Sequence, residues 1–369
     1  MLDNGRISSV QLLFLLFITE EATTILYSSG KAAELAGPDA WLATSLLPTL
    51  YALVIVGVVV ALARRFPSQV FTEYLPEVVG KIPGKLLAAA YTAFFILLAT
   101  VIMTEGVNLI HIIDFPRTPV PVLGIVWAGV AVYGAYLGIE CIARQNQLVW
   151  PVWLFSLLLI FLLASKDLHI NNLKPVLENG LLPVIRGGIT RCPWRGYVFF
   201  ILMLFPYLNQ KQEASQAALL HLGLATSTSL FGMFVMIGVF GDLVTAHLVF
   251  PFYALARYIS IGHFLERLEI LVVIIWVAGV IVKLAVFYHS AGIAAANTLG
   301  LKSYRATLLP IAITTVILSR VLYGTNLKLV TFMFTTYPII ALAVELAVPA
   351  LILLIAVIRK KGGKPIADV

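Results

Sequence analysis

Apolar residues in this chain do not alternate with polar ones. They gather in long runs separated by short polar clusters. Runs of about 18 or more apolar residues are long enough to cross a bilayer as helices. The pattern predicts ten such helices, at about residues 8–33, 40–63, 86–112, 119–138, 142–164, 194–217, 218–245, 267–295, 304–323 and 327–358. Turn residues punctuate them at Gly37-Pro38-Asp39, Phe66-Pro67-Ser68, Phe115 to Pro119, Gly187-Gly188 and Gly300. Three connectors are more than turns. Residues 66–85 predict a short interfacial helix, and 165–190 and 246–266 are too polar to span but carry enough apolar residues to lie over the bundle. Within the last of these, 250–269 sets Arg257, Glu266, Arg267 and Glu269 among aromatics, which predicts a gating or partner-facing surface helix on the outer side.

Composition agrees with the pattern. Of 369 residues, 60% are hydrophobic and only 12% charged, against roughly a quarter charged in soluble domains. The fold class is therefore all-α integral membrane, one transmembrane domain over 1–369. The net charge of +7 does not point to nucleic acid, because the Lys and Arg sit at helix ends. Counted from an inside N-terminus, the inner side receives Arg6, Arg64, Arg65, Lys81, Lys85, Arg144, Lys211, Lys302, Arg305, Arg359, Lys360, Lys361 and Lys364. The short outer loops hold only Lys31, Arg117 and Lys328. That asymmetry places both termini in the cytoplasm, which requires an even number of spans. The first apolar run follows Arg6 without a small-residue cleavage site and is read as span 1. Cys141 and Cys192 lack metal-ligand spacing and indicate no disulfide framework.

Two spans are interrupted. In span 1 the sequence Thr19-Glu20-Glu21-Ala22-Thr23-Thr24 splits the apolar run. Each carboxylate at that depth costs about 2.5 kcal/mol or more on insertion scales, unless the helix opens onto a polar cavity. In span 6 the sequence Phe205-Pro206-Tyr207-Leu208-Asn209-Gln210 intervenes, and Pro206 removes a backbone donor. Spans 1 and 6 open two five-helix halves, about 7–165 and 190–358. Interruptions at corresponding positions of two halves point to a transporter-type site near the bilayer midplane.

Other polar residues fall at depth. In span 3, Thr100, Thr104, Asn108 and His111 form one helical stripe with Glu105 beside it. Lys283 lies near the centre of span 8, too deep to reach either interface. It requires a partner, and Glu20, Glu21 and Glu105 are the candidates, the first two favoured. Asp242, Arg320 and Glu345 lie nearer helix ends and read as structural. The histidines lack paired ligand spacing, and no nucleophile elbow, phosphate loop or Cys/His pair occurs. No metal or cofactor is expected, and the chain does not read as an enzyme.

Several segments carry a resemblance: Ile7-Ser8-Ser9-Val10-Gln11, Phe66-Pro67-Ser68-Gln69, Phe115-Pro116-Arg117-Thr118-Pro119 and Gly138-Ile139-Glu140-Cys141-Ile142-Ala143-Arg144. The most specific stretch runs from Phe250-Pro251-Phe252-Tyr253-Ala254-Leu255-Ala256-Arg257-Tyr258 through Glu266-Arg267-Leu268-Glu269. In their order and spacing they resemble the endospore germination permeases, the B subunits of germinant receptors, across nearly the whole chain. The resemblance implies the amino acid–polyamine–organocation superfamily fold, a five-plus-five inverted repeat with broken helices 1 and 6. It implies the spore inner membrane, a small germinant (often an amino acid), and A-type and C-type partner subunits. The chain departs from the family in span 1, where Glu20-Glu21-Ala22 stands in place of small residues and two anions would repel a ligand carboxylate.

The sequence thus predicts a germinant sensor on a transporter scaffold. Thr23, Thr24, Phe205, Pro206 and Tyr207 are expected to bind the ligand. Glu20, Glu21, Glu105 and Lys283 are expected to gate or to couple protons or ions. An amino acid:proton symporter of the same fold is the alternative, with one of those glutamates as proton carrier.

Overall fold

The computed structural model describes residues 2–259 and 268–363 and is helical throughout. Nine helices among the described residues are long and apolar enough to cross a membrane. The first, α1, runs Ser9–Ala36 and is the hub. Ser8 caps it: its hydroxyl accepts from the Gln11 N–H while the Gln11 side chain accepts from the Ser8 N–H, satisfying two otherwise orphaned donors. Every residue of α1 from Leu15 to Gly30 is buried. A helix buried on all sides stands at the centre of the bundle.

Around α1 stand α2 (Leu46–Arg65), a short amphipathic α3 (Phe71–Val79), α4 (Lys81–Ile113), α5 (Val120–Leu137) and α6 (Ile139–Ala164). The predicted interfacial helix within 66–85 is α3, which buries Phe71, Tyr74, Leu75 and Val78. In α4 the hydroxyls of Thr100 and Thr104 turn back to carbonyls of their own helix, so this part of the polar stripe is satisfied locally. After a broken segment come α8 (Ala214–Phe240), the short α9 (Asp242–His247) and α10 (Pro251–Tyr258), then α11 (Leu268–Leu299), α12 (Arg305–Leu322) and a last crossing, α13 (Asn326–Ile358). The helix of the broken segment is α7 (Leu181–Arg195). Two stretches of α13, Phe332–Thr336 and Leu342–Ala347, are wound as π-helix.

The tenth crossing corrects the predicted spans. Residues 165–190 do not lie as one helix over the bundle. They form 3-10 turns at Ser165–Asp167 and Ile170–Leu173, and α7 begins at Leu181. From α7 the chain continues as 3-10 helix Gly196–Phe200, four α-helical residues Ile201–Leu204, and a 3-10 turn Phe205–Tyr207. This element runs antiparallel to α1 along its length. Gly187 packs on Ala32 and Ala36, Arg191 meets Ser28, Arg195 meets Glu20, and the Tyr207 carbonyl accepts from the Ile7 N–H at 2.9 Å. Arginines kept its first half from registering as apolar, so the predicted span began at 194 instead of 181. The next helix accordingly starts at Ala214 and ends at Gly241, whose positive φ of 76° turns the chain.

The other correction concerns α1, which is a continuous helix through Thr19–Thr24. The carboxylates do not need a wet opening, because they are met by arginines. The deep interruption belongs to Gly196–Phe200, and Pro206 marks the end of its crossing.

Of the predicted outer helix, α10 buries Pro251, Phe252, Leu255 and Ala256 against the bundle and leaves Arg257 exposed. Residues 260–267, with Glu266 and Arg267, and the side chain of Glu269 lie outside the described residues.

Candidate functional site

The spacing of α7 builds the first half of the site. Arg191 and Arg195 are four residues apart and so project from one face, toward the adjacent Glu20 and Glu21 of α1. Arg195 Nη1 lies 2.8 Å from Glu20 Oε1, and Arg191 Nη2 lies 3.2 Å from Glu21 Oε1. Arg191 also donates to Ser28 Oγ at 2.7 Å. The hydroxyl of Ser229 on α8 accepts from both guanidiniums, at 2.7 and 2.8 Å. His221, two turns earlier on α8, places Nε2 3.2 Å from Glu20 Oε2. All four charged side chains are at most 2% exposed. Removing charges from water is tolerable only with such paired, hydrogen-bonded geometry.

The second half lies one turn further along α1. The ammonium of Lys283, on α11, donates to Thr23 Oγ1 at 2.9 Å and sits 4.8 Å above the Tyr197 ring. Tyr197 belongs to the 3-10 stretch of the broken crossing, so that interruption aims an aromatic face at a buried cation. Glu105 of α4 is fully buried, with Lys283 and Thr23 as polar neighbours. Neither of its carboxylate oxygens has a hydrogen-bond partner among the described residues. Tyr27 donates to the Glu105 backbone carbonyl at 2.7 Å.

The structure therefore brings Glu20, Glu21, Thr23, Glu105 and Lys283 together. It corrects the expected pairing, because Glu20 and Glu21 are taken by arginines and Glu105 is the acid left facing Lys283. Thr24 is adjacent, but its hydroxyl is bonded to the Glu20 carbonyl. Phe205, Pro206 and Tyr207 are not part of this cluster. Tyr207 is bonded to Ile7, and Thr23 lies sixteen residues further along α1, about 24 Å at ~1.5 Å per residue. Sequence reasoning missed Arg191, Arg195, His221 and Ser229. The available signal was the i,i+4 arginine pair leading directly into the apolar run Tyr197–Leu204.

The face where α1 begins is sealed. Besides the Ile7–Tyr207 contact, Arg6 Nη1 donates to the Pro206 carbonyl at 3.1 Å, and Ser9 bonds Glu213. Asp3 accepts from the Ile139 N–H at 3.0 Å and pairs with His289 Nε2 at 2.8 Å. Burial alone would raise the Asp3 carboxyl, but the His289 contact and the backbone donors of Ile139 and Gly5 outweigh it and hold the group well below the usual carboxylate range. A depressed folded-state pKa adds stability above the unfolded value of about 3.9 and loses it as pH falls further. Asp3→Asn is therefore expected to lower the melting temperature at pH 7, with the deficit narrowing below about pH 4. An equal deficit at pH 3 and pH 7 would show that the charge is not what seals this face.

The opposite face is open. A cavity of about 340 Å³ lies between α1, the segment after α9, and α13, lined in part by Tyr27, Lys31, Glu34, His247 and Asn326. Tyr27 forms its floor one turn from Thr23, and Phe250 packs edge-on to the Tyr27 ring at 5.3 Å. Tyr27, whose hydroxyl donates to the Glu105 backbone carbonyl, is the lining residue that links the cavity to the cluster.

A family model described as spore germination protein matches residues 6–326 of the chain. Spore germination protein YndE of Bacillus subtilis (strain 168) is 27% identical over 339 residues, covering 89% of each chain. Spore germination protein KB of the same organism is 24% identical over 293 residues, covering 78% of each. Among solved structures, MhsT in complex with L-phenylalanine aligns at a TM-score of 0.71 and 13% identity, covering 96% of this chain and 90% of that one. Mhp1, a nucleobase-cation-symport-1 family transporter with bromovinylhydantoin bound, aligns at 0.64 and 13% identity, covering 95% and 78%. At these identities the likeness shows the fold, the ten-helix inverted-repeat transporter fold, and nothing about ligands.

Proposed function

The chain belongs to the spore germination protein family, and from that premise we propose that it is a germinant receptor subunit that binds a small amino acid at mid-depth and signals through A-type and C-type partner subunits. The observation that carries this reading is the approach of opposite charges at the site: a buried ammonium on Lys283 held by Thr23, and near it a buried Glu105 carboxylate without a hydrogen-bond partner among the described residues. An acid and a base side by side complement a zwitterion. The ligand ammonium meets Glu105, and its carboxylate meets Lys283.

The ligand enters from the face where α1 ends, past Tyr27. The loop charge asymmetry supports that as the outer face, with both termini in the cytoplasm, and the family resemblance supports the spore inner membrane. Two buried ion pairs tie α1 to α7, so a ligand beside them acts on both helices together. Binding then shifts an equilibrium of the bundle that partner subunits read.

The test is a thermal-shift screen of the purified chain against amino acids, nucleosides and sugars. At a hundredfold excess over Kd, a ligand stabilises by about 2.7 kcal/mol. At least one amino acid is expected to do so, and Glu105→Gln is expected to abolish the shift. Stabilisation by sugars or nucleosides alone would overturn the ligand class. Net uptake of a stabilising amino acid by the chain alone in liposomes would replace the sensor with the symporter.

A further inference from the structure

We propose that the groove between α5 and α12 holds an acyl chain of an anionic phospholipid whose phosphate rests on Arg305 and Lys302. The groove encloses about 340 Å³ and is lined only by apolar side chains and Gly129, among them Ile125, Ala128, Leu309 and Ile313. It opens outward onto the lipid-facing surface, where Ile125 is 62% and Ile313 52% exposed. Small residues make the room, and a Cβ built on Gly129 would meet nothing within 4 Å. From Leu309 to Ile317 the groove follows eight residues of helix, about 12 Å. That is close to the ~15 Å depth of one leaflet of a ~30 Å hydrocarbon core.

Cations stand at both ends, Arg305 and Lys302 at one and Arg320, three residues past Ile317, at the other, but only Arg305 bridges the two helices of the groove. Arg305, one turn before Leu309, reaches across to α5. Its Nε donates to the Tyr136 carbonyl at 3.0 Å, and its guanidinium lies 5.0 Å from the Tyr136 ring centroid. Arg305 and the neighbouring Lys302 are exposed, and no carboxylate lies within 4.0 Å of either among the described residues. The remaining guanidinium nitrogens can therefore face a phosphate, for which a planar fork is suited. This end lies on the face where α1 begins, since the chain just beyond Tyr136, at Ile139, is bonded to Asp3. The charge asymmetry directs that face to the cytoplasm, whose leaflet carries the anionic lipids. A cation pair at the headgroup level and an apolar slot above it fit a single anionic lipid better than a second helix, which would bury Arg305 without a counter-charge.

The full chain, purified in detergent, is titrated with phosphatidylglycerol and with phosphatidylcholine of the same acyl chains, and bound lipid is counted by native mass spectrometry. The wild type is expected to hold phosphatidylglycerol at least tenfold more tightly. Arg305→Gln with Lys302→Gln is expected to erase that preference. Gly129→Leu, which fills the slot, is expected to weaken both lipids at least tenfold. Ile125→Trp serves the same purpose if Gly129→Leu does not fold. Equal affinity for the two lipids in the wild type, or undiminished phosphatidylglycerol binding in the slot-filling variants, overturns the proposal. Efficient disulfide cross-linking of an Ile313→Cys variant to a second copy, unaffected by phosphatidylglycerol, would also overturn it and assign the groove to a helix.

Discussion

Arg195→Met should destabilise the purified chain by about 3–5 kcal/mol, the cost of leaving one member of a buried ion pair without its partner. The substitution keeps most of the side-chain volume and removes the charge. Glu20 is then fully buried with His221 as its remaining close contact and Arg191 as a more distant cation, and Ser229 loses one of its two guanidinium donors. Adding Glu20→Gln should recover much of the loss, because it removes the orphaned charge rather than restoring the pair. Arg195→Lys should fall between. It keeps the charge, but a point ammonium cannot reach Glu20 and Ser229 at once as the guanidinium does. Thermal denaturation of the four proteins in one detergent measures this directly. If Arg195→Met melts with the wild type, or if Glu20→Gln makes it worse, the pair is not what secures α7 to α1.

The second large effect is expected at Lys283. Lys283→Met removes the cation that faces Glu105 and the donor to Thr23 while leaving the helix intact. Truncating one partner of a buried charge pair costs about 2–5 kcal/mol in binding, so the ligand concentration that gives a half-maximal thermal shift should rise by at least ~30-fold. Lys283→Arg should retain part of the response, since its cation can still meet a ligand carboxylate and stack on Tyr197. Lys283→Met should also lower stability by roughly 1–3 kcal/mol, because Glu105 is left buried beside no cation. Glu105→Gln should restore that stability without restoring the response. This separation distinguishes a binding role from a structural one: a lysine that only holds the fold would recover both together. Equal effects of the Met and Arg substitutions on the ligand response would remove Lys283 from the binding role.

How much of this was legible in the sequence follows from what each feature depends on. The polytopic helical class was legible, because hydrocarbon thickness sets a run length that any apolar helix must meet. That Glu20, Glu21, Glu105 and Lys283 need polar partners was legible too, since a charge at bilayer depth requires one wherever it falls. The position of the tenth crossing was not. Arg191 and Arg195 lower the local hydropathy below that of a span, and only Glu20 and Glu21, more than 160 residues away, make them compatible with burial. A window of sequence carries no information about a partner so distant. For the same reason the continuity of α1 was missed. Two glutamates in an apolar run look like an opening to water until the arginines that answer them are in place. Pro206 misled in a different way. Proline does end regular helix, but the winding had already changed ten residues earlier at Gly196, where a Cβ would stand 1.9 Å from the Glu345 carboxylate.

The sequence by itself determined the membrane class, the count of ten crossings, the family resemblance and the set of buried charges that must find partners. The tertiary structure alone decided which charges pair. Lys283 was expected to pair with Glu20 or Glu21, and it faces Glu105 instead because α7 brings two arginines to α1 first. Coulomb attraction acts on whichever opposite charge lies nearest in space, and nearness in space is set by how helices far apart in the chain pack, which no local pattern of residues encodes.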